Sequence, residues 1–220
     1  MIEFHAKSGL NSMIDTQLIY LALSWILFCI LHSLLIALPL ADWLRRSNPE
    51  YGRYERVIYN TIALATLIPP IYFGLTFTGA TIFEWGGWLR WIQAALILWA
   101  LFLFWGGSRQ FDTARFLGLR QLREKGVVQK AGENDPLVTN GVLNIVRHPW
   151  YSGGIDIVWA RDLTAAALIT NLVLTLYFLV GSFLEERRLL QQYGSAYQRY
   201  QRHVSMLWPY RWLMHKFKQA

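Results

Sequence analysis

A chain of 220 residues that is 54% hydrophobic and 16% charged is too apolar for an ordinary soluble domain, in which about a quarter of residues carry charge. The 21 Lys and Arg exceed the 14 Asp and Glu, giving a net charge of +7, which membrane topology and anionic head groups explain without a nucleic-acid partner. Cys29 is the single cysteine, so an intramolecular disulfide, a thiolate metal cluster and a Cys-x-x-Cys redox motif are excluded.

The hydropathy pattern predicts an all-α, multi-pass membrane bundle. A polar stretch of about 16 residues precedes the first apolar run, Gln17 to Leu38, which is long enough to cross a hydrocarbon core that takes about 20 helical residues. Pro39 and a polar loop without a small-residue cleavage pattern follow, so this run is expected to stay as an anchor and not to be removed as a signal peptide. The second run, Val57 to Gly79, contains Pro69-Pro70, a kink or break that neighbouring helices must satisfy. The third is Trp88 to Gly106. Trp43, Trp85, Trp88, Trp105, Trp150, Trp159 and Trp208 all fall near segment ends, where amphipathic rings favour the interface.

Between Gly107 and Gly141 lies the longest polar connection. Its first half, "SRQFDTARFLGLRQLREKG", places Phe111, Ala114, Leu117 or Gly118, and Leu122 at helical spacing and predicts an interfacial helix. Its second half, "AGENDPLVTNGVLN", has turn formers at Gly132, Asn134-Asp135-Pro136 and Asn140-Gly141, a loop able to grip a ligand through its backbone. The run Tyr151 to Ala160 is too short to span unaided. Its extension through Pro149 and its close link to the run Leu163 to Leu184 predict a tightly packed helical hairpin, so the count is five crossings, the fourth irregular. With five crossings, all basic residues except Lys7, Arg90 and Arg161 fall on one side, which puts the N-terminus outside and the C-terminus in the cytoplasm. The last helix is expected to run on past the membrane through "FLEERRLLQQYGSAYQRYQRHV", with an interruption near Gly194. Leu189, Tyr193, Ala196 or Tyr197, Tyr200 and Val204 form a stripe that packs on protein or lipid head groups.

The chemistry concentrates at "NIVRHPWYSGG", residues 144–154. Pro149 suits the first helical turn, and a helix N-terminus attracts anions, so Arg147, His148 and the free N–H groups can form a carboxylate or phosphate site. An arginine there can equally be a snorkelling anchor. Gly153 and Gly154, one turn in, permit close approach of a backbone or a ligand. Glu185 and Glu186 either pair with Arg187 and Arg188, which is worth little when exposed, or turn a carboxylate toward a cationic ligand. His32, inside the first run, is a functional candidate because ionisable residues in spans are costly. With His148 at a similar depth it also raises axial ligation of a haem. No metal-ligand cluster and no covalent nucleophile stand out, so no metal site is expected.

"RHPWYSG" at 147–153, preceded by "LVTNGVLNIV" and followed by "EERRL" and "YGSAYQRYQRHV", resembles the isoprenylcysteine carboxyl methyltransferase superfamily, which also holds phospholipid methyltransferases, methanethiol S-methyltransferases and NnrU-like membrane proteins. "LHSLLIA" around His32 and "LGLRQL" around Gln121 are closer to the thiol methyltransferase and NnrU-like branches. The resemblance implies a scaffold over residues 1–106 and, over 107–220, a cytoplasmic pocket for S-adenosylmethionine. Gln121, Thr139, Gly141, Arg147, His148, Pro149, Tyr151 and Gly153 would line that pocket, with Glu185 and Glu186 as the family's acidic pair. Glu186, Arg202 and His203 are the residues expected to serve catalysis.

Where prenylcysteine enzymes carry a basic "KKRV"-like run, this chain reads Gln201, Arg202, His203 and Val204, so a carboxylate-clamping arginine is replaced by a histidine that can take a proton from a thiol. The implied function is S-adenosylmethionine-dependent methylation of a small thiol or other lipophilic acceptor at the membrane. Phospholipid or prenylcysteine carboxyl methylation is the second reading, and a non-catalytic NnrU-like or haem-binding protein the third. Membrane lipids and the small substrate are the expected partners, with no nucleic acid and no obligate protein partner.

Overall fold

Lipid offers backbone groups no partner but each other, so the long apolar runs can only be helices. The computed structural model describes residues 2–36, 38–48, 50–77, 79–110, 114, 117–123 and 136–219. In chain order the elements are α1 (Ile2–Ile36), α2 (Leu38–Ser47), α3 (Tyr51–Thr76), β1 (Thr81–Phe83), α4 (Leu89–Ser108), α5 (Leu119–Arg123), a 3₁₀ turn (Gly141–Asn144), α6 (Pro149–Trp159), β2 (Leu163–Thr164), α7 (Ala165–Tyr193), α8 (Ser195–His203) and α9 (Tyr210–Gln219). Among the described residues, four helices are long and apolar enough to cross a membrane, at Thr16–Leu35, Tyr51–Thr76, Leu89–Ser108 and Ala165–Tyr193. The protein is therefore an all-α, multi-pass membrane bundle. The 11 residues of α6 rise only about 16 Å, well short of a hydrocarbon core.

The chain forms two compact units. The first comprises residues 1–85, 114–128 and 162–174. Its core is Leu21, Trp25 and Ala166, packed with Leu67, Phe73 and Ile169 among others, and the Trp25 indole donates to the Thr170 hydroxyl at 3.0 Å. Pro69 and Pro70 lie inside α3, which continues through them without a break; Pro70 is fully buried, so packing around it compensates the lost hydrogen bonds. Arg45 grips both carboxylate oxygens of Glu55 at 2.9 Å and ties α2 to α3. A short sheet joins the helices without any hydropathy signal for it: β1 and β2 pair antiparallel, Thr81 opposite Thr164 and Phe83 opposite Leu163. Strands of three and two residues are too short to show alternation.

The second unit comprises residues 86–113, 129–161 and 175–220. Here α4 and α6 pack along each other through small residues. A Cβ on Gly107 would sit 2.9 Å from the Trp150 indole nitrogen, and one on Gly153 would sit 3.2 Å from the Ala100 carbonyl and 3.3 Å from the Phe104 ring. Against the expected tightly packed hairpin, α6 and the second-unit half of α7 meet through long side chains: the Trp159 indole donates to the Thr175 hydroxyl at 2.9 Å, and Tyr151 stacks on Phe178 at 5.8 Å. Gly194, at φ +51° and ψ −126°, ends α7 in a conformation that favours glycine, and α8 starts at the next residue. The aromatic stripe turns inward. Tyr197, Tyr200 and Val204 form a buried core with Leu137, Leu189, Leu190 and Tyr193. Of the expected interfacial helix over 111–122, residues 111–113 and 115–116 lie outside the described residues, and 119–123 form the single-turn α5.

Candidate active site

Pro149 starts α6, and His148, its N-cap, has no helical hydrogen bond to give upstream. The backbone N–H groups of Arg147 and His148 instead donate to the carbonyls of Ser205 and Met206, at 2.9 and 3.1 Å. Val146 and Ser205 form a parallel bridge. From there the chain follows α6 inward: Ser152 donates to the Leu207 carbonyl at 2.6 Å, and the Trp208 side chain hydrogen-bonds the Asp156 carboxylate. Positions 148, 152 and 156 are one helical face, so an extended segment is laid along two turns of the helix.

This docking brings the "RHP" residues onto the acidic pair 38 residues later. The Arg147 Nε and a terminal nitrogen both reach Glu186 Oε1, at 2.6 and 2.5 Å, and its other nitrogen donates to the carbonyls of Gln201 (3.2 Å) and Val204. Gln201 donates to the second Glu186 oxygen at 2.8 Å. His148 lies between the two acids, Nε2 3.3 Å from Glu186 and Nδ1 3.5 Å from Glu185. Arg147, His148 and Glu186 are 8%, 4% and 11% exposed at their side chains, whereas Glu185 is 47% exposed. Burial alone would lower the His148 pKa, but the hydrogen bonds and charges of Glu185 and Glu186 outweigh it and hold the imidazole above its usual value. The ring stacks on Tyr151 at 5.6 Å and 13°. Both imidazole nitrogens face carboxylates, an arrangement that holds a protonated ring and turns neither nitrogen toward a haem iron.

The expected residues divide accordingly. Arg147, His148, Pro149, Tyr151, Glu185 and Glu186 come together. Glu186 pairs with Arg147 and His148, not with its sequence neighbours Arg187 and Arg188. The space that Gly153 leaves is taken by α4, and that of Gly154 by Phe178, 2.9 Å from a built Cβ. Gly141, at φ +60°, borders a cleft of about 300 Å³ with Trp105, Arg109 and Gln110, and Thr139 is exposed nearby in sequence. Arg202 and His203 are exposed at the end of α8, where His203 Nδ1 lies 2.7 Å from the Arg199 carbonyl. Gln121 is in α5, in the first unit, and its side chain lies outside the described residues.

Several groups had no place in the sequence reading. Gln201 was noted only as a departure from a basic run, yet it holds Glu186. Tyr197 is 1% exposed, its hydroxyl has no hydrogen-bond partner among the described residues, and burial followed by the Glu186 charge raises its pKa. Asp156 is 7% exposed, with one carboxylate oxygen that likewise lacks a hydrogen-bond partner among the described residues. An acid inside an apolar run was the available signal for it.

The apolar helices and the cluster of buried Arg147, His148 and Glu186 with the half-exposed Glu185 define an integral-membrane helical bundle that carries a charged cluster where one helix starts and another leaves the apolar region. Comparison with known proteins narrows the class. The chain is 31% identical over 199 residues to the methanethiol S-methyltransferase of Mycobacterium tuberculosis, covering 84% of this chain and 75% of that one. It is 30% identical over 197 residues to the protein of the same name from Crocosphaera subtropica, covering 84% and 71%. A shorter match, 33% identical over 127 residues, reaches the methanethiol S-methyltransferase of a Pseudomonas species and spans 56% of this chain but only 44% of that relative. No family model and no solved structure matches the chain. The chain belongs to the isoprenylcysteine carboxyl methyltransferase-like superfamily, with the proteins named methanethiol S-methyltransferase as its relatives.

Proposed function

We propose that the protein is an S-adenosylmethionine-dependent membrane methyltransferase whose acceptor is a small thiol. The observation that carries this reading is the match over most of the chain to methanethiol S-methyltransferases, taken with the folding of Arg147 and His148 onto Glu185 and Glu186. The donor set suits a zwitterion with an extra positive charge: Glu185 keeps an exposed carboxylate for an ammonium or sulfonium, while the buried Tyr197 hydroxyl lacks a hydrogen-bond partner among the described residues. Arg147 is used internally. Its three partners make it a positioning residue that holds Glu186 and the 201–204 backbone, and this revises its expected role as an anion anchor.

When bound, S-adenosylmethionine supplies an electrophilic methyl group on a sulfonium. A thiolate acceptor, its proton already removed, would lose its charge in taking that methyl group, so a site walled off from water would favour the transfer. His148 and Tyr151 form a stacked wall beside the acids. The thiol proton needs an acceptor, and the exposed His203 is the residue assigned to it: Nδ1 lies 2.7 Å from the Arg199 carbonyl, so that nitrogen is occupied as a donor and Nε2 is the one left to meet a substrate. The basic residues favour five crossings, with α6 as the irregular fourth, the N-terminus outside and this cluster in the cytoplasm. Reporter fusions at Gly126 and at the C-terminus should then report the cytoplasm and one at Gly87 the outside; Gly126 and Gly87 on the same side would refute it.

Calorimetric titration of the purified protein with S-adenosylhomocysteine tests the cofactor assignment. Saturable binding that weakens at least about tenfold in Glu185→Gln, the loss expected for one charged hydrogen bond, supports it. Absence of binding by the unaltered protein overturns it.

A further inference from the structure

After Glu186 the chain has seven Lys and Arg and no Asp or Glu. It continues into α9, which is outside the four candidate spans yet presents apolar side chains outward. Tyr210, Leu213, Met214 and Phe217 are 54%, 41%, 56% and 78% exposed. Their spacing, i, i+3, i+4 and i+7, puts them on one stripe. Lys218 flanks that stripe on one side and Lys216 on the other, with Arg211 beside Lys218. An apolar stripe bordered by cations is what a helix lying in a membrane interface requires, with side chains among the upper acyl chains and ammonium groups at the phosphates.

The same charges select the occupant. A second copy of the chain would bring an equally cationic rim against this one, and like charges across an interface oppose docking. An anionic lipid surface satisfies stripe and rim together. The helix is also fixed to the candidate site. The Arg211 backbone N–H donates to the Ser205 hydroxyl at 3.0 Å, and its guanidinium donates to the carbonyls of Arg202, at 2.7 Å, and Gln201. Gln201 in turn holds Glu186. A helix seated on lipid would brace the end of α8 and, through it, the acidic pair.

We propose that α9 is an in-plane membrane anchor that docks on anionic lipid through Tyr210, Leu213, Met214 and Phe217, with Lys216 and Lys218 on the head groups. The inference does not depend on the reaction assigned above. It is tested on the full chain, carrying Cys29→Ala and single spin labels at 213, 215, 217 or 218, in nanodiscs of phosphatidylcholine alone or with about one-third phosphatidylglycerol. With phosphatidylglycerol present, labels at 213 and 217 should be accessible to oxygen and shielded from a water-soluble nickel reagent, and labels at 215 and 218 the reverse. Nickel accessibility at 217 should rise about tenfold in pure phosphatidylcholine or on Lys216→Gln with Lys218→Gln. Labels at 213 and 217 that stay open to nickel in the anionic discs would overturn the proposal. Equal shielding in both lipids would overturn its electrostatic part, and spin–spin broadening at 217 would show a second copy instead.

Discussion

Each unit of the molecule holds a histidine packed among helices, and the two are built differently. In the first unit His32 meets two neutral neighbours: the Tyr59 hydroxyl lies 2.6 Å from Nε2 and the Phe28 ring centroid is 5.4 Å away. In the second unit His148 stands between two carboxylates, one of them shared with Arg147. A neutral hydrogen bond links two helices at small cost to either. A buried charge cluster costs desolvation that only its full set of partners offsets, so each member depends on the rest. The difference shows why two histidines that look alike in a hydropathy plot carry unequal weight.

The sharpest way to break the comparison is to remove one charge. Glu186→Ala leaves Arg147 and His148 buried without their shared partner and should destabilise the second unit by about 3–5 kcal/mol, with loss of methyl transfer; Arg147→Ala should cost a similar amount, because Glu186 and two backbone carbonyls lose their donor. Denaturant unfolding in detergent measures both. A cost under about 1 kcal/mol would place this pair with ordinary surface ion pairs.

A smaller effect is expected from pH. The His148 pKa is raised above 6.5 in the folded protein, so its contribution is complete below about 6.5 and is lost as pH rises through the folded value. The melting temperature of the unaltered protein should therefore fall over that alkaline range relative to His148→Gln, whose profile should lack this component. Parallel profiles for the two proteins would mean that His148 is neutral when folded. The smallest effect belongs to the first unit: Tyr59→Phe should cost only about 0.5–1.5 kcal/mol and leave methyl transfer intact, since it removes one neutral hydrogen bond. A transfer defect as deep as that of Glu186→Ala would erase the distinction between the two histidines.

Much of this was legible in the sequence because it is local. Hydropathy length located the four long spans, Pro149 marked the start of α6, and the continued 3.6-residue pattern with Gly194 foretold a helix that runs beyond the apolar region and then breaks. The acidic pair was visible, but not its partner. Arg187 is next in sequence to Glu186, yet Arg147, 39 residues away, takes the carboxylate, because side-chain direction on packed helices decides contacts and periodicity does not encode it. The same reason hid the segment at 205–208 that lies along α6. Gly153 marks close approach of a backbone or of a ligand, two uses of a missing Cβ that look identical in sequence, and in the fold the Ala100 carbonyl of α4 comes up against it. In α9 the signal was present in the spacing of Tyr210, Leu213, Met214 and Phe217, though ten residues are too few to stand out beside membrane-length runs.

The central claim is methyl transfer to a small thiol. Its most direct test supplies the reconstituted protein with S-adenosylmethionine labelled in the transferred methyl group, together with methanethiol, phosphatidylethanolamine and a prenylcysteine, and follows where the label goes. The label should appear in a volatile thioether, at a rate that rises with pH as the thiolate forms until His148 loses its proton. Label recovered in the lipid fraction or as a base-labile ester, with no volatile thioether, would contradict the thiol assignment.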